Sequence, residues 1–262
     1  MVKAIFFDID GTLVPEGHTA PPQDVIDAVA ELRRKGIKIF IASGRHPEWI
    51  INLGNLEVDG YVTCNGSMCL DVGADKPFYV YPVKESDIER LIDFSHNSTM
   101  PIVVVPAHGG IILSRFDEDV RKASEILRLP EIPVTDLSTV TGKDIVQIMA
   151  FGSEEERENA DLFESVLPDC EPTSWNPNFY DIVPKGSGKH VGIDRMIEHY
   201  GISLDETMAF GDGDNDISML RHAGIGVAMG NAKEAVKKVA DYVTTDILDH
   251  GILNALRHFH LI

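Results

Sequence analysis

The chain reads Ala4-Ile5-Phe6-Phe7 and then Asp8-Ile9-Asp10-Gly11-Thr12 close to its first residue. The apolar run has the length of a buried strand, so two carboxylates and a glycine follow where that strand leaves the core. Ligands of open α/β sheets bind at the carboxyl ends of the strands. Two acids at positions i and i+2 can divide nucleophilic attack and proton transfer between them when a cation holds them together. This stretch therefore predicts a catalytic site.

The sequence on either side alternates between strand-like and helix-like segments. Pro22–Lys35 places apolar residues on one helical face, and Gly36 provides a stop. Strands are predicted at Ile37–Ile41 and Gly60–Thr63, and the same rhythm returns after Pro184. The strands predicted in that last part are Thr207–Phe210, Ile225–Ala228 and Tyr242–Thr244. This order predicts an α/β fold with a doubly wound, Rossmann-like parallel sheet.

The middle of the chain has a different pattern. A hairpin is predicted from Met68–Leu70 and Phe78–Tyr81, followed by helices and β-branched segments typical of an antiparallel α+β sheet. A charged helix is predicted to begin at residues 154–156. We therefore predict a core domain of residues 1–81 and 184–262, with an inserted α+β domain at residues 82–183.

Composition excludes several classes of partner. The chain has 262 residues and a net charge of −19, from 42 acidic and 23 basic residues. Nucleic acids and anionic membranes attract basic proteins, so neither is an expected partner. No transmembrane span or secretory signal is predicted, and the three cysteines (Cys64, Cys69 and Cys170) lack the spacing of a zinc site. We expect a cytoplasmic protein with reduced thiols, whose oligomeric state is open and for which a monomer is plausible.

Four predicted strands end in polar or glycine-rich turns, which a parallel sheet would bring to one edge. Asp8, Asp10 and Asp212 would meet there, with Asp214 and Asp216 nearby. So many carboxylates cannot all ionise close together without a compensating cation. Oxygen ligands favour a hard divalent ion, which predicts Mg²⁺. A bound Mg²⁺ would recruit a phosphate, so a small phosphorylated metabolite is the expected partner.

These turns resemble the motifs of the haloacid dehalogenase superfamily of phosphohydrolases. The four motifs correspond to Asp8–Thr12, Ser43-Gly44-Arg45, Lys189 and Gly211–Asp216. Their order and spacing are similar to those of the Cof-type subgroup, in which a type IIB cap is inserted between the third core strand and the lysine motif. Two further segments, Thr63-Cys64-Asn65-Gly66 and Ala228–Ala232, also resemble this subgroup. The resemblance covers essentially the whole chain. Within the subgroup, the chain resembles bacterial sugar-phosphate phosphatases.

The resemblance implies a role for each acid. Asp8 would be the nucleophile, forming an aspartyl-phosphate, and would also bind Mg²⁺. Asp10 would be the general acid and base, with its main-chain carbonyl on the metal, and Thr12 would help to orient it. Asp212 would be the main further metal ligand. Asp216 would support the metal, directly or through water.

The resemblance also implies a phosphate site formed by Thr12, Ser43, Gly44, Lys189 and Asn215. Several alternatives stay open. Lys185 competes with Lys189 for the phosphate, and Lys189 is preferred because it would begin a helix, whose N-terminus suits an anion. Asp216 could merely cap the helix that follows it. Arg45 could contact the site or form an ordinary salt bridge.

Substrate choice is implied to lie in the cap, which would close over the phosphate site. Trp175, Asn178, Tyr180 and Asp181 could touch a leaving group, although core packing is an equal alternative for Trp175 and Tyr180. We predict a Mg²⁺-dependent phosphatase of small phosphomonoesters, with hexose phosphates favoured. The enzymatic alternatives are a phosphomutase and a phosphatase of FMN or pyridoxal phosphate. A catalytically silent phosphometabolite-binding module is the non-enzymatic alternative.

Overall fold

The chain divides into two compact units in the computed structural model, which describes residues 1–50, 53–127, 130–152, 162–173 and 179–262. The core unit contains Met1–Tyr79 and Gly188–Ile262, and the inserted unit contains Val80–Ser187. The predicted insertion, 82–183, falls within the second of these ranges. The predicted helix at 154–156, together with Trp175 and Asn178, lies outside the described residues.

Strands and helices alternate in the core unit and not in the inserted one. The strands of the described chain are β1 (Ala4–Phe7), β2 (Lys38–Ala42), β3 (Gly60–Thr63), β4 (Met68–Asp71), β5 (Tyr79–Val80), β6 (Ile102–Pro106), β7 (Ile112–Leu113), β8 (Ile145–Phe151), β9 (Cys170–Thr173), β10 (Phe179–Pro184), β11 (Thr207–Gly211), β12 (Ile225–Ala228) and β13 (Tyr242–Val243). The α-helices are α1 (Gln23–Arg34), α2 (Glu85–Asn97), α3 (Glu118–Leu127), α4 (Lys189–Tyr200), α5 (Ile217–His222), α6 (Glu234–Lys237) and α7 (Gly251–His258).

One eight-stranded sheet organises the core unit, in the order β13-β12-β11-β1-β2-β3-β4-β5. Neighbouring strands from β13 to β3 pair in parallel, and β4 pairs with β3 in the antiparallel sense. The strand β1 lies between β11 and β2, so it is buried along its whole length. A parallel strand that is buried on both faces is a continuous apolar run in the sequence, as Ala4–Phe7 is.

Hydrophobic side chains cover both faces of this sheet. Helix α1 buries Val25, Val29 and Leu32 in one apolar cluster, and α4 buries Ile193 and Met196 in another. Burial of each such side chain contributes about 1.5–3 kcal/mol. A short 3₁₀-helix, Pro47–Trp49, follows β2.

The inserted unit contains a five-stranded sheet in the order β7-β6-β8-β10-β9, and its described strand pairs are antiparallel. Tyr180 packs against the apolar cluster of this unit, consistent with a packing role. Asp181 is buried and accepts a hydrogen bond from Gln147 Nε2 at 2.7 Å. No helix in the described part of the chain has the length and apolar character needed to cross a membrane.

Candidate active site

The polar turn after β1 is held against the end of β11. The main-chain N–H of Asp8 donates to the carbonyl of Phe210 at 3.0 Å. Because the two strands run in parallel, Asp8 and Asp212 leave the sheet at the same edge. This placement of Asp8 and Asp212 is typical of parallel sheets, whose ligands bind at the carboxyl ends of the strands.

Lys189 binds two of the acids at once. Its Nζ atom lies 2.6 Å from Asp8 Oδ1 and 2.5 Å from Asp216 Oδ1. Lys189 and Asp216 are fully enclosed, and Asp8 is buried as well. Lys189 is the first residue of α4. Burial opposes the charge of Lys189, but the carboxylates of Asp216 and Asp8 outweigh that effect and raise its pKa.

Asp216 fixes the loop that carries Asp212. Its Oδ2 atom accepts hydrogen bonds from the main-chain N–H groups of Asp212 and Gly213, each at 2.9 Å. The carboxylate of Asp212 accepts a hydrogen bond from Thr12 Oγ1 at 2.9 Å. Gly11 lies against it with φ +87°, and a Cβ atom there would stand 2.3 Å from Asp212 Oδ2. Only glycine therefore suits this position.

Asp8, Asp212 and Asp216 form an acidic group in which one carboxylate oxygen from each lies within 4.8 Å of the others. Burial and the neighbouring charge of Asp216 raise the pKa of Asp8 well above its ordinary value. The same two causes raise the pKa of Asp212 to about 7. A hard divalent cation would reverse both effects, because it favours the ionised carboxylates. The donor set thus fits Mg²⁺.

Asp10 points its carboxylate at a different partner. Arg45 Nε donates to Asp10 Oδ2 at 2.8 Å, and Arg45 Nη2 donates to Asp10 Oδ1 at 2.9 Å. The resemblance assigned the orienting role to Thr12, whose hydroxyl instead donates to Asp212. Among the open interpretations of Arg45, the structure shows an ion pair with a proposed catalytic acid.

The ends of β2 and β3 contribute the next residues of the candidate active site. Ser43 is buried, and its Oγ atom accepts a hydrogen bond from the main-chain N–H of Arg45 at 3.2 Å. A Cβ atom on Gly44 would lie 3.0 Å from the amide of Asn65. Asn65 Oδ1 in turn accepts a hydrogen bond from Asn215 Nδ2 at 3.0 Å. The turn after β3 thus connects two of the predicted phosphate-binding segments.

Two candidates have other partners. Lys185 belongs to the inserted unit, where its Nζ atom donates to the carbonyl of Pro168 at 2.6 Å. Asp214 is partly exposed and pairs with Lys233 at 2.5 Å. Asn65 and Asn231 were not predicted as site residues, although both turns had been recognised as strand ends. Asn231 Nδ2 donates to the carbonyl of Gly11 at 2.8 Å, so it supports the first acidic turn.

Known proteins with similar sequences identify the family. A model of the haloacid dehalogenase-like hydrolases matches residues 5–256. The chain belongs to this family. Among its relatives, YkrA of Bacillus subtilis, a candidate phosphatase, is 32% identical over 272 residues, which cover 99% of this chain and 98% of the relative. The pyridoxal phosphate phosphatase YbhA of Escherichia coli is 29% identical over 280 residues, which cover 99% of each chain.

A solved structure gives the same assignment. The haloacid dehalogenase subclass IIB sugar phosphatase BT4131 superposes with a TM-score of 0.87 and 42% sequence identity, over 100% of both chains. The predicted superfamily and α/β fold are confirmed, and the family together with the names of the relatives confirms the prediction of a phosphatase.

Proposed function

We propose that this phosphatase hydrolyses small phosphomonoesters, with hexose phosphates as its best substrates, through an aspartyl-phosphate on Asp8. The observation that carries the proposal is the enclosed contact of Lys189 Nζ with Asp8 Oδ1 at 2.6 Å, beside the carboxylates of Asp212 and Asp216. An anionic nucleophile can approach an anionic phosphate only where positive charge offsets their repulsion. Lys189 supplies part of that charge.

Mg²⁺ is the proposed cofactor. The carboxylates of Asp8 and Asp212 and the main-chain carbonyl of Asp10 would hold it. Asp216 would support it through water, because its two oxygens already accept hydrogen bonds from Lys189 and from two main-chain N–H groups. When bound, the ion supplies positive charge beside the transferring phosphoryl group.

The proposed reaction has two halves. In the first, an oxygen of Asp8 attacks phosphorus, the bond from phosphorus to the leaving oxygen breaks, and Asp10 gives its proton to that oxygen. In the second, water attacks the phosphorus of the aspartyl-phosphate and passes a proton to Asp10. The bond from phosphorus to the Asp8 oxygen breaks, so phosphate is released and the Asp8 carboxylate is restored. Lys189, the hydroxyl of Ser43, the main chain at Gly44 and the amide of Asn215 would hold the phosphoryl oxygens.

The choice of hexose phosphates is supported by the comparisons. The sugar phosphatase BT4131 is 42% identical to this chain, whereas the pyridoxal phosphate phosphatase YbhA is 29% identical. That the inserted unit selects the substrate remains a prediction from the family resemblance. Cofactor phosphates are therefore the most useful competing class in a test.

A phosphate-release screen tests the proposal. Hexose, pentose, polyol, nucleotide and cofactor phosphates are compared by kcat/KM with Mg²⁺ present, and we expect hexose phosphates to rank first. Asp8→Asn should lower kcat at least about a thousandfold while thermal denaturation shows a folded protein. Pyridoxal phosphate or FMN in first place would assign a cofactor phosphatase. Conversion of one sugar phosphate into another, without phosphate release, would assign a phosphomutase.

A further inference from the structure

The contact between Arg45 and Asp10 is a two-point clamp. The Nε and Nη2 atoms of Arg45 each reach a different oxygen of the Asp10 carboxylate, at 2.8 and 2.9 Å. Arg45 is 11% exposed and Asp10 is 39% exposed. Parallel contacts of this kind fix the plane of a carboxylate as well as its position.

Arg45 is itself held along its whole length. Its main-chain N–H donates to Ser43 Oγ at 3.2 Å, and its carbonyl accepts from the main-chain N–H of Cys64 at 3.2 Å. Its Nη1 atom donates to the carbonyl of Trp49 at 3.3 Å. The main chain of Arg45 is therefore anchored by the ends of β2 and β3, and its guanidinium group by the following 3₁₀-helix.

The reaction places a geometric demand on Asp10. A general acid or base must stand within hydrogen-bond reach of the atom that it serves, and a displacement of about 1 Å can cost about a hundredfold in rate. A half-exposed aspartate has two freely rotating side-chain bonds and is poorly fixed by itself. The guanidinium group, with five donors in a rigid plane and no acceptor, can fix it without exchanging a proton.

We propose that Arg45 is a positioning residue for Asp10, which rests on the acid–base role given to Asp10 under the proposed function. As the bond from phosphorus to the leaving oxygen breaks, the proton passes from Asp10 to that oxygen, and Arg45 neither gains nor loses one. Lysine cannot replace Arg45, because a single ammonium group lacks the planar pair of donors. An ordinary surface ion pair would instead have a small effect on stability and none on the rate.

Substrates with different leaving groups distinguish a positioning role of Arg45 from a purely structural one. Glucose 6-phosphate releases an alcohol that needs a proton, whereas p-nitrophenyl phosphate releases a phenolate that leaves without one. In Arg45→Lys we expect kcat for glucose 6-phosphate to fall at least about tenfold, with KM within about threefold of the unsubstituted enzyme. Single-turnover release of p-nitrophenolate should stay within about threefold. Arg33→Lys, which alters the ion pair of Arg33 with Asp59, is the matched control and should leave both rates unchanged.

A double-mutant cycle then tests whether Arg45 acts through Asp10. Steady-state hydrolysis of p-nitrophenyl phosphate is compared in Asp10→Asn, Arg45→Lys and the double variant. We expect the double variant to equal Asp10→Asn, because no carboxylate remains for Arg45 to hold. Additive losses in this cycle, an equal loss in single-turnover release of the leaving group from both esters, or a change in KM alone would overturn the positioning role.

Two results separate this role from the proposed function. If the unsubstituted enzyme releases no phosphate, or if Asp8→Asn keeps its rate, the proposed function fails and the role of Arg45 fails with it. If the enzyme is active and depends on Asp8, but Arg45→Lys and the second variant Arg45→Gln match it with both esters, only the role of Arg45 fails. Thermal denaturation of each variant identifies a loss caused by unfolding.

Discussion

Lys189 shows how single residues are placed for reactivity in this protein. Removing a lysine and two carboxylates from water costs several kcal/mol for each ion, and their mutual attraction offsets this only in part. The group around Lys189, Asp8 and Asp216 is therefore a weak source of stability. Under the proposed function, its value lies in holding the nucleophile Asp8 against a fixed positive charge. Replacing Asp8 leaves Lys189 paired with Asp216, so we expect Asp8 variants to fold.

His46, the residue that follows Arg45 in the chain, is titratable and buried. It is 6% exposed, and its Nδ1 atom accepts a hydrogen bond from the main-chain N–H of Glu48 at 3.3 Å. It thereby caps the 3₁₀-helix Pro47–Trp49. Burial lowers the pKa of His46 from its ordinary value of 6.5 to about 4.

This shift predicts a loss of stability in mild acid. As the pH falls from 6.5 towards 4, His46 takes up a proton in the unfolded chain but stays neutral in the folded one. The free energy of unfolding contributed by this residue therefore falls, by up to about 3 kcal/mol at pH 4. In His46→Asn the cap can be kept without a titrating group. Urea denaturation between pH 7.5 and 4.5 should show a flatter pH profile for His46→Asn than for the unsubstituted protein, and identical profiles would contradict the assignment.

The turn after β3 joins the elements that form the proposed phosphate site. Cys64, Asn65 and Gly66 all have positive φ, at 50°, 51° and 92°. Consecutive left-handed residues are costly and persist where surrounding structure requires them. Gly66 lies so close to the start of α4 that a Cβ atom would stand 2.0 Å from the carbonyl oxygen of Gly188. The turn therefore sets the position of the helix that begins with Lys189.

We predict that Gly66→Ala is severely destabilising. Positive φ costs alanine about 1–2 kcal/mol, and the overlap with main-chain atoms of Gly188 adds to it. Gly73→Ala is the matched control, because Gly73 has φ +75° and, its two chain neighbours apart, no atom of the described residues lies within 4 Å of a new Cβ. We expect Gly66→Ala to lower the free energy of unfolding at least about 2 kcal/mol more than Gly73→Ala and to reduce kcat. Equal losses in urea denaturation would show that the close approach is unimportant.

The charge of the whole molecule is concentrated unevenly. The chain carries a net charge of −19, and three of its buried or half-buried acids, Asp8, Asp212 and Asp216, meet at one sheet edge. Lys189 offsets only part of that local charge. A bound divalent cation should therefore stabilise the folded protein as well as support its reaction.

We predict that Mg²⁺ raises the melting temperature. At about one hundred times its dissociation constant, a ligand of the folded state adds about 2.7 kcal/mol to the free energy of unfolding, which corresponds to about 5 °C or more in a chain of this size. Asp212→Asn should lose this shift, whereas Asp214→Asn, which alters an exposed ion pair with Lys233, should keep it. EDTA should abolish phosphate release and Mg²⁺ should restore it. Full activity in chelated buffer, or an unchanged melting temperature in Mg²⁺, would refute the metal site.

Local sequence patterns were sufficient to predict many of the strands and helices of this structure. The continuous apolar run before Asp8 and the amphipathic period of Pro22–Lys35 predicted β1 and α1, because a buried parallel strand and a half-buried helix each impose a strict pattern on neighbouring residues. The preference for Lys189 over Lys185 also came from local sequence, since it begins a helix. The motifs were sufficient to recognise the family.

The contacts between distant side chains depend on the tertiary structure. Arg45 could have been an ordinary salt bridge until β1 and β2 placed it against Asp10, and Thr12 was associated with Asp10 until its hydroxyl was found on Asp212. Asn65 was recognised as a strand end, but its contact with Asn215 joins residues 150 positions apart. A sequence pattern indicates only local properties of a segment: which residues are buried, whether the period is that of a helix or a strand, and where a turn follows. Hydrogen bonds between separate strand ends depend on register and on side-chain direction, which are fixed only when the whole sheet has assembled.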